Sequence, residues 1–172
     1  MSTFSVELAI SRGWCILNAR ADEQRVQVRG HWLNDSLTDL VSSLQLLLDG
    51  RQSVSTRWQH EVSGGHFLDF VADPRGGVGI AVSELAHGAG SATVEEIWSA
   101  ARGETVFSAH VPLGGLVTET MRSLRRIRVE SVDSTGYIEH WQHSFPQALY
   151  ESVEGVASVR FGYKPQPTAE FG

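Results

Sequence analysis

The sequence predicts an α+β fold: a largely antiparallel, strongly twisted sheet of about seven or eight strands, with two main helices, at about residues 35–49 and 113–129, on one face. Three observations carry that expectation. Short segments alternate apolar and polar residues, as half-buried strands do. Glycine-rich turn signals at Ser63-Gly64-Gly65, Pro74-Arg75-Gly76-Gly77, His87-Gly88-Ala89-Gly90 and Arg102-Gly103 punctuate the middle of the chain, as in a meander. Two stretches instead repeat their apolar residues at helical spacing.

In chain order, residues 4–10 place Phe4, Val6, Leu8 and Ile10 on one side and Ser5, Glu7 and Ala9 on the other. Arg12-Gly13 turns the chain into a second strand at 14–20, and Ala21-Asp22-Glu23 leads to a third at 24–32, with Val26 and Val28 on one face and Arg25, Gln27 and Arg29 nearby. Asn34, Asp35 and Ser36 can each cap a helix, and Ser36 with Asp39 resembles a capping box. Leu37, Leu40, Val41, Leu44, Leu47 and Leu48 then form one uncharged stripe, closed by Gly50. The meander follows, with strands expected at 53–61, 66–73, 78–82, 92–100 and 105–111. Pro112 suits the first turn of the second helix, whose stripe is Leu113, Leu116, Val117, Met121, Leu124 and Ile127. Residues 137–141 suggest a short helical turn, Phe145-Pro146 introduces a last short helix through Leu149, Tyr150 and Val153, and 156–163 suggests an edge strand. Residues 1–164 read as a single domain and 165–172, with Pro165 and Pro167, as a mobile tail.

At 172 residues the chain can bury about 70% of its unfolded surface and needs no covalent staple. Its single cysteine, Cys15, permits no intramolecular disulfide, and no apolar run is long enough to span a bilayer. With no signal-peptide pattern either, the expected setting is cytoplasmic, without membrane partners. A net charge of -6 argues against nucleic acid as partner, which requires clustered cations, and suits a basic protein partner instead.

Seven histidines are the tempting chemistry. His60 and His66 flank the Gly64-Gly65 turn, close to Glu61 and Asp69, and could form a proton-transfer pair. His140 and His143 have the i, i+3 spacing that can point two imidazoles at one metal, but no further ligand is identifiable and Phe145-Pro146 ends the helix there. Cys15 lies in an apolar run with nothing to activate it, no serine sits in a nucleophile elbow, and Gly76-Gly77-Val78-Gly79 precedes a strand where a phosphate loop would open a helix. No cofactor motif is present. Arg122, Arg125, Arg126 and Arg128 crowd one helix end and could grip an anionic partner, although a solvated helical face has the same composition.

The segment Trp32-Leu33-Asn34-Asp35-Ser36-Leu37-Thr38-Asp39-Leu40, the pair Arg57-Trp58, the run Val111-Pro112-Leu113, and Gly136-Tyr137-Ile138-Glu139-His140-Trp141 followed by Phe145-Pro146 resemble small uncharacterised actinobacterial proteins. Some proteins of that kind are grouped with the immunity proteins of polymorphic toxin systems. The resemblance implies a compact cytosolic α+β protein that blocks a toxin by binding it.

The sequence thus leads to a non-catalytic protein-interaction protein, immunity-like, with a basic toxin as its partner. Its expected contact residues are Trp58, His60, His66, Asp69, Arg122, Arg125 and Arg126, on a sheet face carrying exposed tryptophans and acidic side chains. The alternative is a small-molecule- or metal-binding protein or enzyme using the His60/His66 or His140/His143 region. Homodimerisation through an open sheet edge is compatible with either.

Overall fold

A computed structural model describes residues 3–60, 64–85, 102–130 and 141–165. Strands β1 (Phe4–Ser11), β2 (Trp14–Ala21) and β3 (Gln24–His31) form a three-stranded antiparallel meander. Arg12 and Gly13 both take positive φ, 48° and 83°, in the first hairpin, as a two-residue turn with the twist of its strands requires. Helix α1 (Ser36–Leu48) follows, then a second antiparallel meander of β4 (Ser53–Gln59), β5 (Gly65–Ala72), β6 (Gly77–Leu85) and β7 (Arg102–Pro112). Helices α2 (Leu113–Glu130) and α3 (Gln147–Phe161) complete the described chain.

The α+β, antiparallel character is as the sequence predicts, but the strands belong to two sheets, of three and four strands, rather than to one. The reason lies at the edge of β4. The Arg57 carbonyl there accepts from Asn34 Nδ2 at 3.0 Å and lies 3.5 Å from Ser36 Oγ, so the loop and first turn leading into α1 occupy the place where β3 would pair. β3 meets β4 through side chains instead. Gly30 leaves room for the Trp58 ring, whose Cε3 would stand only 3.3 Å from a Cβ at that position.

Alternation within each strand sends one set of side chains inward. Val6, Leu8, Cys15, Leu17 and Val28 of the first sheet share a contiguous core with Trp58, Leu68, Phe70, Val78, Ile80, Val82, Phe107 and Val111 of the second. All six apolar residues of the α1 stripe are buried in it, as are Leu116, Val117, Met121, Leu124 and Ile127 of α2. Helix α2 lies along β1, α1 along β4, and α3 touches both helices.

The terminal helix differs from expectation. α3 runs through Phe161, so residues 156–161 are helical and not an edge strand; Tyr150, Val153 and Ala157 fall on one buried helical face, and the burial of that face outweighs the strand preference of Val156 and Val159. Gly162, at φ 65°, ends the helix in the left-handed conformation. The strand expected at 92–100, most of the turn at 137–141, His140 and most of the proposed tail lie outside the described residues. No helix among the described residues is long and apolar enough to cross a membrane.

Asp35 joins the N-terminal half to the later chain. It caps α1, accepting from the Thr38 backbone N–H at 3.2 Å and from the Thr38 hydroxyl at 2.6 Å. The same carboxylate accepts at 3.1 Å from the indole N–H of Trp141, which is fully buried. The His143 ring stands close by, with Nε2 2.6 Å from the Trp32 carbonyl.

Candidate binding surface

The side chains that the first sheet does not bury make an open face whose layout follows from strand register. Four cross-strand rows run from β1 to β3: Ser5, Arg20, Arg25; Glu7, Asn18, Gln27; Ala9, Ile16, Arg29; and Ser11, Trp14, His31. Every one of these residues is exposed or half-buried, while the residues between them in sequence point to the core. Ser5, Glu7, Asn18, Arg20, Arg25 and Gln27 line a surface cleft of about 410 Å³ on this face.

Three of the charges on the face are arginines and one is a glutamate, the reverse of the balance of the whole chain, -6. Arg20 and Arg25 stand directly opposite one another, an arrangement that costs stability because like charges are set side by side. Polar contacts orient this surface without neutralising it. Asn18 Oδ1 accepts from Gln27 Nε2 at 3.0 Å, Gln27 Oε1 accepts from Arg29 Nε at 3.1 Å, and the Asp22 carbonyl accepts from Arg20 Nε at 3.3 Å. Among the described residues no carboxylate pairs with Arg20, Arg25 or Arg29.

One end of the face is aromatic. Trp14 packs edge-on against His31, with ring centres 4.8 Å apart, and lies 6.3 Å from His60; Trp32, 42% exposed, flanks His31 at 5.5 Å. His60 and His66 do come together, ring centres 5.5 Å apart in edge contact. The expectation that the hairpin brings them together holds, and Trp14 stands between His60 and His31. His31 Nδ1, His60 Nε2 and His66 Nδ1 are all buried without a hydrogen-bond partner among the described residues. Burial holds the His60 imidazole below its ordinary pKa, helped by the charge of Arg29. Burial does the same to His66, with His60 adding to the effect and Glu84 opposing it. Among the described residues no group of three His, Cys, Asp or Glu side chains is placed to hold a metal ion.

The other residues expected to make contacts are dispersed. Trp58 is fully buried in the core, its indole N–H donating to Thr56 Oγ1 at 3.2 Å, and so is no exposed anchor, because α1 and β3 pack against β4 there. Asp69 lies on the opposite side of β5 from His66. There it receives a two-pronged contact from Arg102, both distances 2.6 Å, and a bond from Ser55, while the Arg102 guanidinium sits 4.4 Å above the Phe67 ring. Arg122 pairs with Glu119, Arg125 reaches Glu154 of α3 at 3.7 Å, and Arg126 approaches the Leu8 carbonyl of β1 at 3.5 Å, so each is engaged locally and together they form no shared grip. His143 contacts Trp32 and Asp35, while its expected metal partner His140 falls outside the described residues. Cys15 is buried, and that burial, with a smaller contribution from Asp35, raises its thiol pKa far from the reactive range.

The arginines of the open face lay within reach of sequence reasoning. Arg25 and Arg29 share a face by alternation alone, and Arg20 joins them once the tight turn fixes the β2–β3 register. An Asp73–His110 pair, 2.6 Å apart across the β5–β6 turn and β7, had no sequence signal, because 37 residues separate its members. Compared with models of protein families, with curated proteins and with solved structures, the chain matches none.

Proposed function

We propose that the chain is a non-catalytic protein-interaction protein that works through the open face of its three-stranded sheet, in the manner of an immunity protein that neutralises a toxin by covering it. The observation that carries this reading is the face itself: a continuous array of charged, amide and aromatic side chains with few partners inside the molecule, on a rigid antiparallel ladder. Interfaces are built from such sets, with aromatic and arginine anchors in a polar surround. The dispersal of the other candidate residues supports it as well. A cytoplasmic setting belongs to the same proposal. Co-expression with toxins encoded beside this gene tests it, using Asn18→Trp to block the centre of the face. Rescue that this variant abolishes is the expected result; no rescue and no complex with any neighbour would sink the proposal.

A second reading, a small-molecule or metal site at His60 and His66, is favoured by their buried ring nitrogens, His60 Nε2 and His66 Nδ1, which have no hydrogen-bond partner among the described residues, since such atoms invite a bound group. Titration calorimetry with zinc chloride tests it, and the absence of saturable heat that His66→Ala removes would dispose of it.

A further inference from the structure

Resting on the reading of the open face as a docking surface, we infer that the partner segment it takes is an acidic, extended stretch of polypeptide running along β3, and not a basic surface. The overall charge of the chain points the other way, but charge complementarity acts where surfaces meet. Within the four rows the chain presents Arg20, Arg25 and Arg29 against Glu7, with Asp22 and Glu23 at the turn beyond the first row. No hydrogen bond within the described residues occupies the terminal nitrogens of the three guanidinium groups, which remain available for two-pronged contacts to carboxylates. The cost of setting Arg20 opposite Arg25 makes sense if a bound anion relieves it.

Spacing supplies the rest. Arg25, Gln27, Arg29 and His31 succeed one another at every second position of β3, so Arg25 and Arg29 are about 13 Å apart along the strand. An extended segment repeats its own same-side residues at that interval, so acidic residues at its i and i+4 positions meet the two arginines. Asn18 and Gln27 lie between them with amides suited to its main chain, and an apolar residue beyond reaches Trp14 and Trp32. A single-stranded nucleic acid fits less well. Three cations neutralise few phosphates, Glu7 projects from the next row, and the remaining charge of the chain repels a polyanion.

The test uses the full chain and fluorescence anisotropy with a labelled peptide alternating glutamate and serine and ending in phenylalanine, its glutamine counterpart, and a short oligo-dT. Saturable binding of the acidic peptide is expected, weakened about tenfold by Arg25→Gln or Arg29→Gln, as loss of a charge-assisted contact implies. Thermal unfolding of Arg25→Gln should come no earlier than in the parent. Equal binding of the glutamine peptide, tighter binding of oligo-dT, or no binding of the acidic peptide each overturns the inference. If Asn18→Trp still abolishes toxin rescue in those cases, the face remains a docking surface and only its acidic occupant is lost; if rescue survives that variant, both readings fall.

Discussion

Replacing Asp35 by alanine removes two things at once, and their sizes can be worked from the geometry. The cap on α1, made by bonds from the Thr38 N–H and hydroxyl, is worth about 1 kcal/mol. The indole N–H of Trp141, fully buried and 3.1 Å from Asp35 Oδ1, would be left without an acceptor at a cost of roughly 1–3 kcal/mol. His143 Nδ1, 3.9 Å from the carboxylate, adds nothing that counts at that distance and exposure. Asp35→Ala should therefore destabilise the protein by about 2–4 kcal/mol, seen as a lower urea midpoint by far-UV circular dichroism at unchanged slope. Asp35→Asn keeps the one oxygen that accepts from both the Thr38 N–H and the Trp141 indole, loses the acceptor for the Thr38 hydroxyl, and should recover most of the loss. In a Trp141→Phe background, where no indole N–H remains, Asp35→Ala should cost only the cap, leaving a coupling of roughly 1–3 kcal/mol in the double-mutant cycle. A loss below about 0.5 kcal/mol or a coupling near zero would refute the assignment of Asp35 as a shared acceptor.

Three further outcomes follow from contacts already described. Ser123→Ala should cost about 1–3 kcal/mol, because the Leu8 N–H that donates to Ser123 Oγ at 2.7 Å is buried; the Leu8 amide should also exchange faster with deuterium, and unchanged exchange would contradict that role. Gly30→Ala should destabilise by on the order of 1–3 kcal/mol, since its Cβ would stand 2.6 Å from Ser36 Oγ and 3.3 Å from the Trp58 ring; a thermal midpoint equal to the parent's would show that the packing yields there. Because His60 and His66 titrate below their ordinary value when folded, the unfolded chain binds more protons as pH falls through about 6.5, so stability should decline from there until the folded histidines are protonated too. A double variant, His60→Gln with His66→Gln, should flatten the urea midpoint between about pH 7 and pH 5, and a profile as steep as the parent's would assign that slope to other groups.

Local patterns made much of this fold legible. The stripes of α1 and α2 and the alternation of the first three strands are set by side chains within a few residues of one another, and their burial follows the pattern residue by residue. Pairing between distant segments has no such signature. The division into two sheets depends on Asn34 and Ser36 reaching the Arg57 carbonyl, and the helical state of residues 156–161 depends on where Tyr150, Val153 and Ala157 dock. The His60/His66 contact was legible because a hairpin joins them, whereas Trp14, which packs against His60, comes from another sheet. Trp58 was misplaced because a tryptophan on an alternating strand reads alike whether its side of the sheet is wet or packed. The arginine face was missed for a different reason: total charge averages over the surface, and the sign that a partner meets is set by register.

The sheet edges carry a consequence for how recognition can change over time. At Leu8 the outer side of β1 is taken by Ser123 and approached by Arg126, at Arg57 that of β4 by Asn34 and Ser36, and at Ser108 the β7 backbone N–H by Gln24 Oε1 at 3.2 Å. A visiting chain that tried to extend either sheet at these points would first have to evict a side chain, which disfavours strand addition and the aggregation it invites. For the proposed docking role this favours side chains on the open face, which can be exchanged singly while the ladder beneath stays as it is. A scaffold of this kind can change what its open face presents by point substitution, with no need to refold.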